Sequence, residues 1–413
     1  MTHPTCDATV VEPAFHRFPA EVLGEVFAQA LEDDITDPSP ESMKQLIDIC
    51  LVCREWCDTA KITHTLWRTL SLPDPLSSQT LEKARRWLGR AKTLPKGLAV
   101  VAATGHRGHC HHRSDCSLAS RELANMLMEG SMDFHHLTIT CPSSVCFYQL
   151  LTLFEETRRR NPLNEAPRPW ENVKSLSFNF FDDWNQWEDF QDPSQDILTS
   201  VTYPIFVLLP PITSLSLHLP SIHHENEAAE WVALNIPENI LENLTDMTLV
   251  CDWLPRKVLK VLEGCRSVER LTLDLNGSTF VGDGGCAGFD DKATLLPRVR
   301  QLRIRQLVPQ ALEYLRYFRT PLLEELDLGF MNVGQQGKFQ TASFLSMEAV
   351  ISLFQRSRCA DTLSVVRLRH AFPMDAQRLQ IRLPFMSKPH FSVNRCGNTS
   401  RGSNSWTLSR ARS

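Results

Sequence analysis

One six-residue arrangement of apolar positions, apolar-x-x-apolar-x-apolar, returns along most of the chain. It reads as Trp67-Leu70-Leu72, Phe134-Leu137-Ile139, Val173-Leu176-Phe178, Ile212-Leu215-Leu217, Leu244-Met247-Leu249, Val268-Leu271-Leu273, Val299-Leu302-Ile304, Leu323-Leu326-Leu328 and Leu363-Val366-Leu368. A degenerate copy lies near Leu98 and Val100. The last two apolar positions of each copy alternate with polar ones, which marks a short strand buried on one face. Middle residues are 24 to 40 residues apart, room for one strand, one helix and their loops. The intervening helices are expected over Cys146 to Arg159, Ala228 to Leu244, Pro255 to Glu263, Pro309 to Phe318 and Met347 to Gln355. Stacked units of this kind predict an α/β body, with parallel strands lining a concave face and helices outside. At roughly 4.8 Å per strand the face would be on the order of 45 Å long, the scale of a protein or peptide ligand.

Residues 18 to 67 carry a different pattern. In FPAEVLGEVFAQALEDD, Val22, Leu23, Val26, Phe27, Ala30 and Leu31 recur at three- and four-residue intervals, so a helix with one apolar face is expected. Pro19 suits its first turn and Glu21 favours its positive end. Ser39-Pro40-Glu41 announces a second helix with Ser39 as N-cap, and its apolar stripe runs Met43, Leu46, Ile47, Cys50, Cys53, Cys57, Ala60. Two helices this short bury too little apolar surface to stand alone, so the segment should lean on its neighbour or on a partner.

Phe18-Pro19-x-Glu21-Val22-Leu23, then Leu51-Val52-Cys53-Arg54-x-Trp56, then Leu66-Trp67 resemble an F-box in order and spacing. Phe18 stands where that family usually has Leu, and Glu32 to Glu41 lengthens the loop between the helices. With irregular leucine-rich repeats behind it, the layout is similar to the many F-box proteins of mushroom-forming fungi. Asn276 holds the position at which leucine-rich repeats carry a ladder asparagine, and no other copy has it. The resemblance implies docking on the Skp adaptor and, through it, on cullin and RING subunits of an SCF-type ubiquitin ligase. The expected adaptor face comprises Phe18, Pro19, Glu21, Val22, Leu23, Val26, Phe27, Val52, Cys53 and Trp56. The implied division is a flexible N-terminus over 1–15, an F-box over 16–70, a leucine-rich-repeat solenoid over 71–371 and a disordered basic tail over 372–413.

Charge and cysteine usage narrow the picture. The formal net charge of −5 conceals an asymmetry: residues 371 to 413 hold seven Lys/Arg against one Asp, net +6, leaving −11 for the rest. An acidic body without a basic aromatic stripe argues against nucleic acid as the main ligand. The N-terminus MTHPTCDATV lacks the regions of a signal peptide and no run approaches roughly 18 apolar residues, so a cytoplasmic or nuclear protein without a membrane span is expected. Thirteen cysteines scattered singly through apolar segments read as buried free thiols of a reducing compartment. Cys50-x-x-Cys53 shares a helical stripe with Cys57 and reads as packing.

Four further segments carry residue types associated with chemistry or disorder. In NFFDDWNQWEDFQDPSQD, Asp182, Asp183, Trp184, Trp187, Glu188 and Asp189 interleave acids with aromatic anchors, the candidate contact for a basic, partly apolar segment of a protein substrate. The alternative is a long loop whose tryptophans tuck back onto the body. HRGHCHHRSDC offers His106, His109, Cys110, His111, His112 and Cys116, but at no spacing of a closed tetrahedral site, so no metal is expected there. Gly282-x-Gly284-x-x-Ala287 imitates a dinucleotide fingerprint, yet Asp283, Asp290 and Asp291 would repel phosphates and no convincing helix follows. The Ser-, Asn-, Gly- and Arg-rich C-terminal stretch reads as disordered. With no nucleophile elbow, His-Glu-x-x-His or P-loop, no catalytic centre and no cofactor are expected. The expected function is a non-catalytic substrate receptor of a ubiquitin ligase. The alternatives are a leucine-rich scaffold acting outside ubiquitylation and, from another class, a nucleotide-dependent enzyme built on the Gly282 segment.

Overall fold

The computed structural model describes residues 18–31, 40–73, 76–101, 120–128, 132–141, 144–160, 169–180, 209–219, 236–253, 255–275, 293–307, 309–330, 348–369, 390–395 and 402–409. Residues 1–15, Ser39, the His/Cys-rich segment 106–116, the acidic-aromatic segment 182–192, Asn276, the Gly282 segment and the first part of the helix expected over Ala228 to Leu244 lie outside the described residues.

The chain opens with α1 (Ala20–Leu31), α2 (Pro40–Val52) and α3 (Arg54–Ile62), and a 3-10 turn over His64–Trp67 leads into β1 (Thr69–Pro73). There follow α4 (Ser78–Gly89), β2 (Lys96–Val101), α5 (Arg121–Met128), β3 (Phe134–Cys141), α6 (Ser144–Arg160), a 3-10 turn over Pro169–Asn172, β4 (Ser175–Phe180) and β5 (Ser214–His218). They continue as α7 (Glu238–Leu241), β6 (Asp246–Val250), α8 (Pro255–Glu263), β7 (Arg270–Asp274), β8 (Thr294–Leu295) and β9 (Gln301–Leu307). A 3-10 helix over Pro309–Tyr317, β10 (Phe318–Arg319), β11 (Glu325–Phe330), α9 (Glu348–Ser357), β12 (Val365–Arg369), β13 (His390–Arg395) and β14 (Gly402–Ser409) complete the described chain.

The result is an α/β architecture around one large, mostly parallel sheet of order β1-β2-β3-β4-β5-β6-β7-β9-β11-β12-β14-β13. Its register explains the sequence pattern. Leu70, Leu98, Leu137, Leu176, Leu215, Met247, Leu271, Leu302, Leu326 and Val366 pair strand to strand as one continuous row. The last apolar positions, Leu72 through Leu368, make a second row beside it, and both rows are buried. The residue or two ahead of successive strands also bond in series: Thr213 N–H to Lys174 O, Thr245 to Thr213, Glu269 to Thr245, Arg300 to Glu269, Glu324 to Arg300 and Ser364 to Glu324, each 2.8 Å. Units of very different length therefore stack at one pitch.

Leu81 and Leu88 of α4, Leu123 and Leu127 of α5, Leu150 and Phe154 of α6, Val258 and Leu262 of α8, and Val350 and Leu353 of α9 join the strand rows in one hydrophobic cluster. Burial of a Leu side chain contributes about 1.5–3 kcal/mol, so this shared layer is the main source of stability. The opposite face carries Thr138, Ser177, Ser216, Thr248, Thr272, Arg303 and Arg367, all partly exposed. Among the described residues no helix is long and apolar enough to cross a membrane.

Three expectations are corrected. The stripe from Met43 to Ala60 is two helices, because Cys53 is extended (φ −160°, ψ 171°) and its Sγ caps α3 by accepting from Trp56 N–H at 3.5 Å. The helix expected over Pro309 to Phe318 is 3-10 as far as Tyr317, and Phe318 opens β10. The buried Ala311, Leu312, Tyr314 and Leu315 recur every three residues, which suits that tighter helix. The segment expected to be a disordered tail holds two strands: β14 runs antiparallel to β12, with Leu408 opposite Val366 and fully buried. Composition hid this strand, since Trp406-Thr407-Leu408-Ser409 alternates apolar and polar among residues typical of disorder.

Candidate functional site

The N-terminal helices enclose a small core of their own, made of Leu23, Phe27, Leu31, Leu46, Ala60, Leu66, Trp67 and Ala91. The Phe27 and Trp56 rings lie 5.0 Å apart at 54°, joining α1 to α3. Helix α1 approaches the end of α3 so closely that a Cβ on Gly24 would overlap Thr63 Oγ1. That hydroxyl donates to Thr59 O at 2.8 Å and closes α3. The Trp67 indole N–H donates to Ala60 O at 2.7 Å, and the Arg90 guanidinium lies 4.2 Å from the centre of its ring. Trp87 packs against both this core and the sheet's, which fixes the helical unit on the first strand.

The outside of the unit is unusual. Nine large apolar side chains are exposed among the described residues, and seven belong to it: Phe18, Val22, Val26, Ile47, Leu51, Val52 and Ile62. Val22 and Val26 are one turn apart on α1, and Ile47 and Leu51 one turn apart on α2, so two apolar rows face outward while Leu23, Phe27 and Leu46 face inward. Isolated exposed apolar residues are ordinary, but a concentration of this kind marks a contact surface.

The structure thus divides the expected adaptor face. Phe18, Pro19, Glu21, Val22, Val26 and Val52 are exposed. Leu23 and Phe27 are corrected to the interior, at 4% and 3% exposure, where they hold the helices together. Trp56 is half-buried on Phe27 and Cys53 is a cap. Ile47 lies outside the inward stripe in which it was placed. Leu51, 77% exposed, and Ile62, 61% exposed, were missed. The i, i+4 spacing of Ile47 and Leu51 is their sequence signal, and it is masked by the adjacent inward stripe through Leu46 on the same helix. Asp182, Asp183, Trp184, Trp187, Glu188 and Asp189 lie outside the described residues.

A second surface is the polar face of the sheet, which changes character along its length. Towards β3 and β4 it is rich in hydroxyls: His136, almost fully buried, contacts Ser175 Oγ at 2.9 Å through Nδ1 and Thr138 Oγ1 at 2.8 Å through Nε2. From β6 onward it is charged. Arg270 Nη2 donates to Asp246 Oδ2 at 2.7 Å, Arg367 bonds Glu325, and Arg369 holds Asp327 with two bonds of 3.0 and 2.6 Å. The Arg270 and Arg369 pairs are bidentate, the geometry that guanidinium favours, and the Arg367 pair is a single bond.

The described thiols form no metal cluster, and no group of metal-ligating side chains occurs among the described residues. Burial pushes the Cys251 and Cys265 thiols up to about 12 and Cys359 up to about 11, so these are inert packing groups. Cys50, Cys53 and Cys57 are half-buried, not buried as expected. No protein-family model matches the chain, and no curated protein matches it.

Proposed function

We propose that this chain is the substrate-recognition subunit of an SCF-type ubiquitin ligase, with the helical unit as an F-box that docks the Skp adaptor and the sheet body as an irregular leucine-rich-repeat solenoid that holds a protein substrate. The observation that carries this reading is the coincidence of two features on residues 18–62: the F-box-like order of apolar residues and seven of the nine large apolar side chains exposed among the described residues. A self-sufficient domain has no use for that surface, whereas a docking module needs it. The stacked apolar rows of the body support the repeat reading, and its polar face is the surface left for a substrate. The mechanism is proximity: a substrate held beside a charged conjugating enzyme meets it at high effective concentration, and the chemistry takes place elsewhere in the assembly. Co-expression with the Skp adaptor should yield a stable complex, and depletion of the chain from cells should lengthen the lifetime of its bound partner. Complex formation without any change in partner lifetime would favour a scaffold acting outside ubiquitylation.

A further inference from the structure

The charged half of the polar sheet face contains one arginine that its neighbours leave incomplete. In register across β7, β9, β11 and β12 stand Thr272, Arg303, Asp327 and Arg367. Asp327 would be the natural partner of Arg303, but both of its oxygens are held by Arg369. Glu325 is the next carboxylate, and it is bonded by Arg367, leaving Arg303 Nη2 at 3.7 Å. Asp246, on the other side, is occupied by Arg270. Arg303 Nε is buried and has no hydrogen-bond partner among the described residues. Charges follow the same arithmetic: Asp246 pairs with Arg270, Asp327 with Arg369, and Glu325 is shared between Arg367 and Arg303, so Arg303 has only part of one carboxylate.

Arg303 lines a recess in this face together with Asp246, Thr248, Arg270, Thr272 and Gln301. Its volume is about 200 Å³. Cofactor and drug-sized ligands occupy roughly 300–1,000 Å³, so the recess suits one side chain and not a nucleotide. Its walls are mainly polar, with guanidinium, hydroxyl and amide groups and the Asp246 carboxylate, whose charge Arg270 pairs through both oxygens. A planar fork with unused donors beside hydroxyls recognises an anionic oxygen group better than a hydroxyl, an amide or a cation.

We propose that this recess is an anchor point for an anionic oxygen group, a carboxylate or a phosphorylated side chain, on the protein that binds the polar face, with Arg303 as the residue that reads it. The assignment rests on the sheet face being the partner-binding surface, as in the function proposed above. It also predicts a division of labour along the face, the hydroxyl-rich strands offering neutral contacts and Arg303 the charge that fixes register.

The test uses the full chain carrying ¹⁵N-labelled arginine, titrated with three decapeptides of one Gly/Ala context that differ at a central Glu, phosphoserine or Ser. The Arg303 Nε–H resonance should move with the Glu or the phosphoserine peptide and stay still with Ser, and the peptide that moves it identifies the source of the anion. Arg303→Gln should weaken that peptide about tenfold or more, the scale of losing a charge-assisted hydrogen bond, while Arg305→Gln leaves binding unchanged. Arg303→Lys, which keeps the charge without the fork, should fall between them, and an unchanged melting temperature certifies each variant as folded. An Arg303 signal indifferent to all three peptides, or equal binding by wild type and Arg303→Gln, overturns the proposal. Skp recovery by the same Arg303→Gln protein reports separately on the helical unit, so failure at the recess and failure of the docking reading are distinguishable.

Discussion

Trp87 stands edge-on to Trp67, ring centroids 4.6 Å apart at 67°, and its indole N–H donates to Thr69 O at 3.1 Å. One ring thus touches the last residue of the helical unit, and its nitrogen grips the first residue of the sheet. The unit is therefore not tethered by a linker; it shares a joint with the body it precedes.

That joint is open to mutation. Trp87→Ala should cost about 3–5 kcal/mol, and Trp87→Phe, which keeps an aromatic ring but loses the donor, about 0.5–1.5 kcal/mol. Thermal unfolding followed by proteolytic cleavage within residues 18–62 and by far-UV circular dichroism should coincide in the wild type. In Trp87→Ala the cleavage transition should precede the other, because the helical unit loses its support.

The strand phase gives a sharper contrast. Leu271 is buried in the continuous apolar row, and Thr272 lies on the polar face one residue on. Leu271→Ala should destabilise the body by about 2–5 kcal/mol, since neighbours fixed in the stack cannot fill the cavity. Thr272→Ala should stay within about 0.5 kcal/mol. Equal losses in denaturant melts would mean that the two faces have been exchanged.

Gly24 tests the close approach of α1 to α3. Alanine would normally favour a helix by about 1 kcal/mol, yet here its methyl meets Thr63. Gly24→Ala should lower the melting temperature. Adding Thr63→Ala removes the obstructing hydroxyl, so the double variant should melt above the sum of the two single effects, the signature of direct coupling in a double-mutant cycle.

The buried thiols set an alkaline limit. Their folded values, about 12 for Cys251 and Cys265 and about 11 for Cys359, exceed the ordinary 9.0. The folded chain therefore holds these protons while the unfolded chain releases them above pH 9. Stability is fully present below pH 9 and is lost as pH rises from there towards the folded values. Denaturant midpoints measured from pH 8 to 11 should fall, and Cys265→Ala should flatten the slope. Iodoacetamide at pH 8 should label none of these three thiols until the protein unfolds.

The parallel strands were legible because each buries one face against the same layer, so burial imposes a period of two on every copy. The middle positions from Leu70 to Val366 recur in one pattern for that reason. The break at Cys53 was not legible, since an apolar cysteine at helical spacing looks like stripe, and only the extended backbone makes it a cap. β14 was hidden by composition: Ser, Asn and Gly dominate a strand whose Leu408 is buried. The exposed apolar surface of the helical unit was half legible. Apolar periodicity located the helices, but both rows of α1 are apolar, and burial alone separates Val22 and Val26 from Leu23 and Phe27. The Arg303 recess left no sequence signal, because it arises from which carboxylate each arginine selects across strands.

The central claim is that the outward rows of α1 and α2 dock an adaptor. The measurement that tests it most directly is the affinity of the purified chain for the Skp adaptor, wild type against a variant carrying Val22→Asp, Val26→Asp and Leu51→Asp. These side chains are exposed, so the variant should melt like the wild type. Placing three carboxylates in an apolar contact should weaken binding by about a hundredfold or more. An adaptor that binds the variant as tightly as the wild type, or binds neither, would contradict the account.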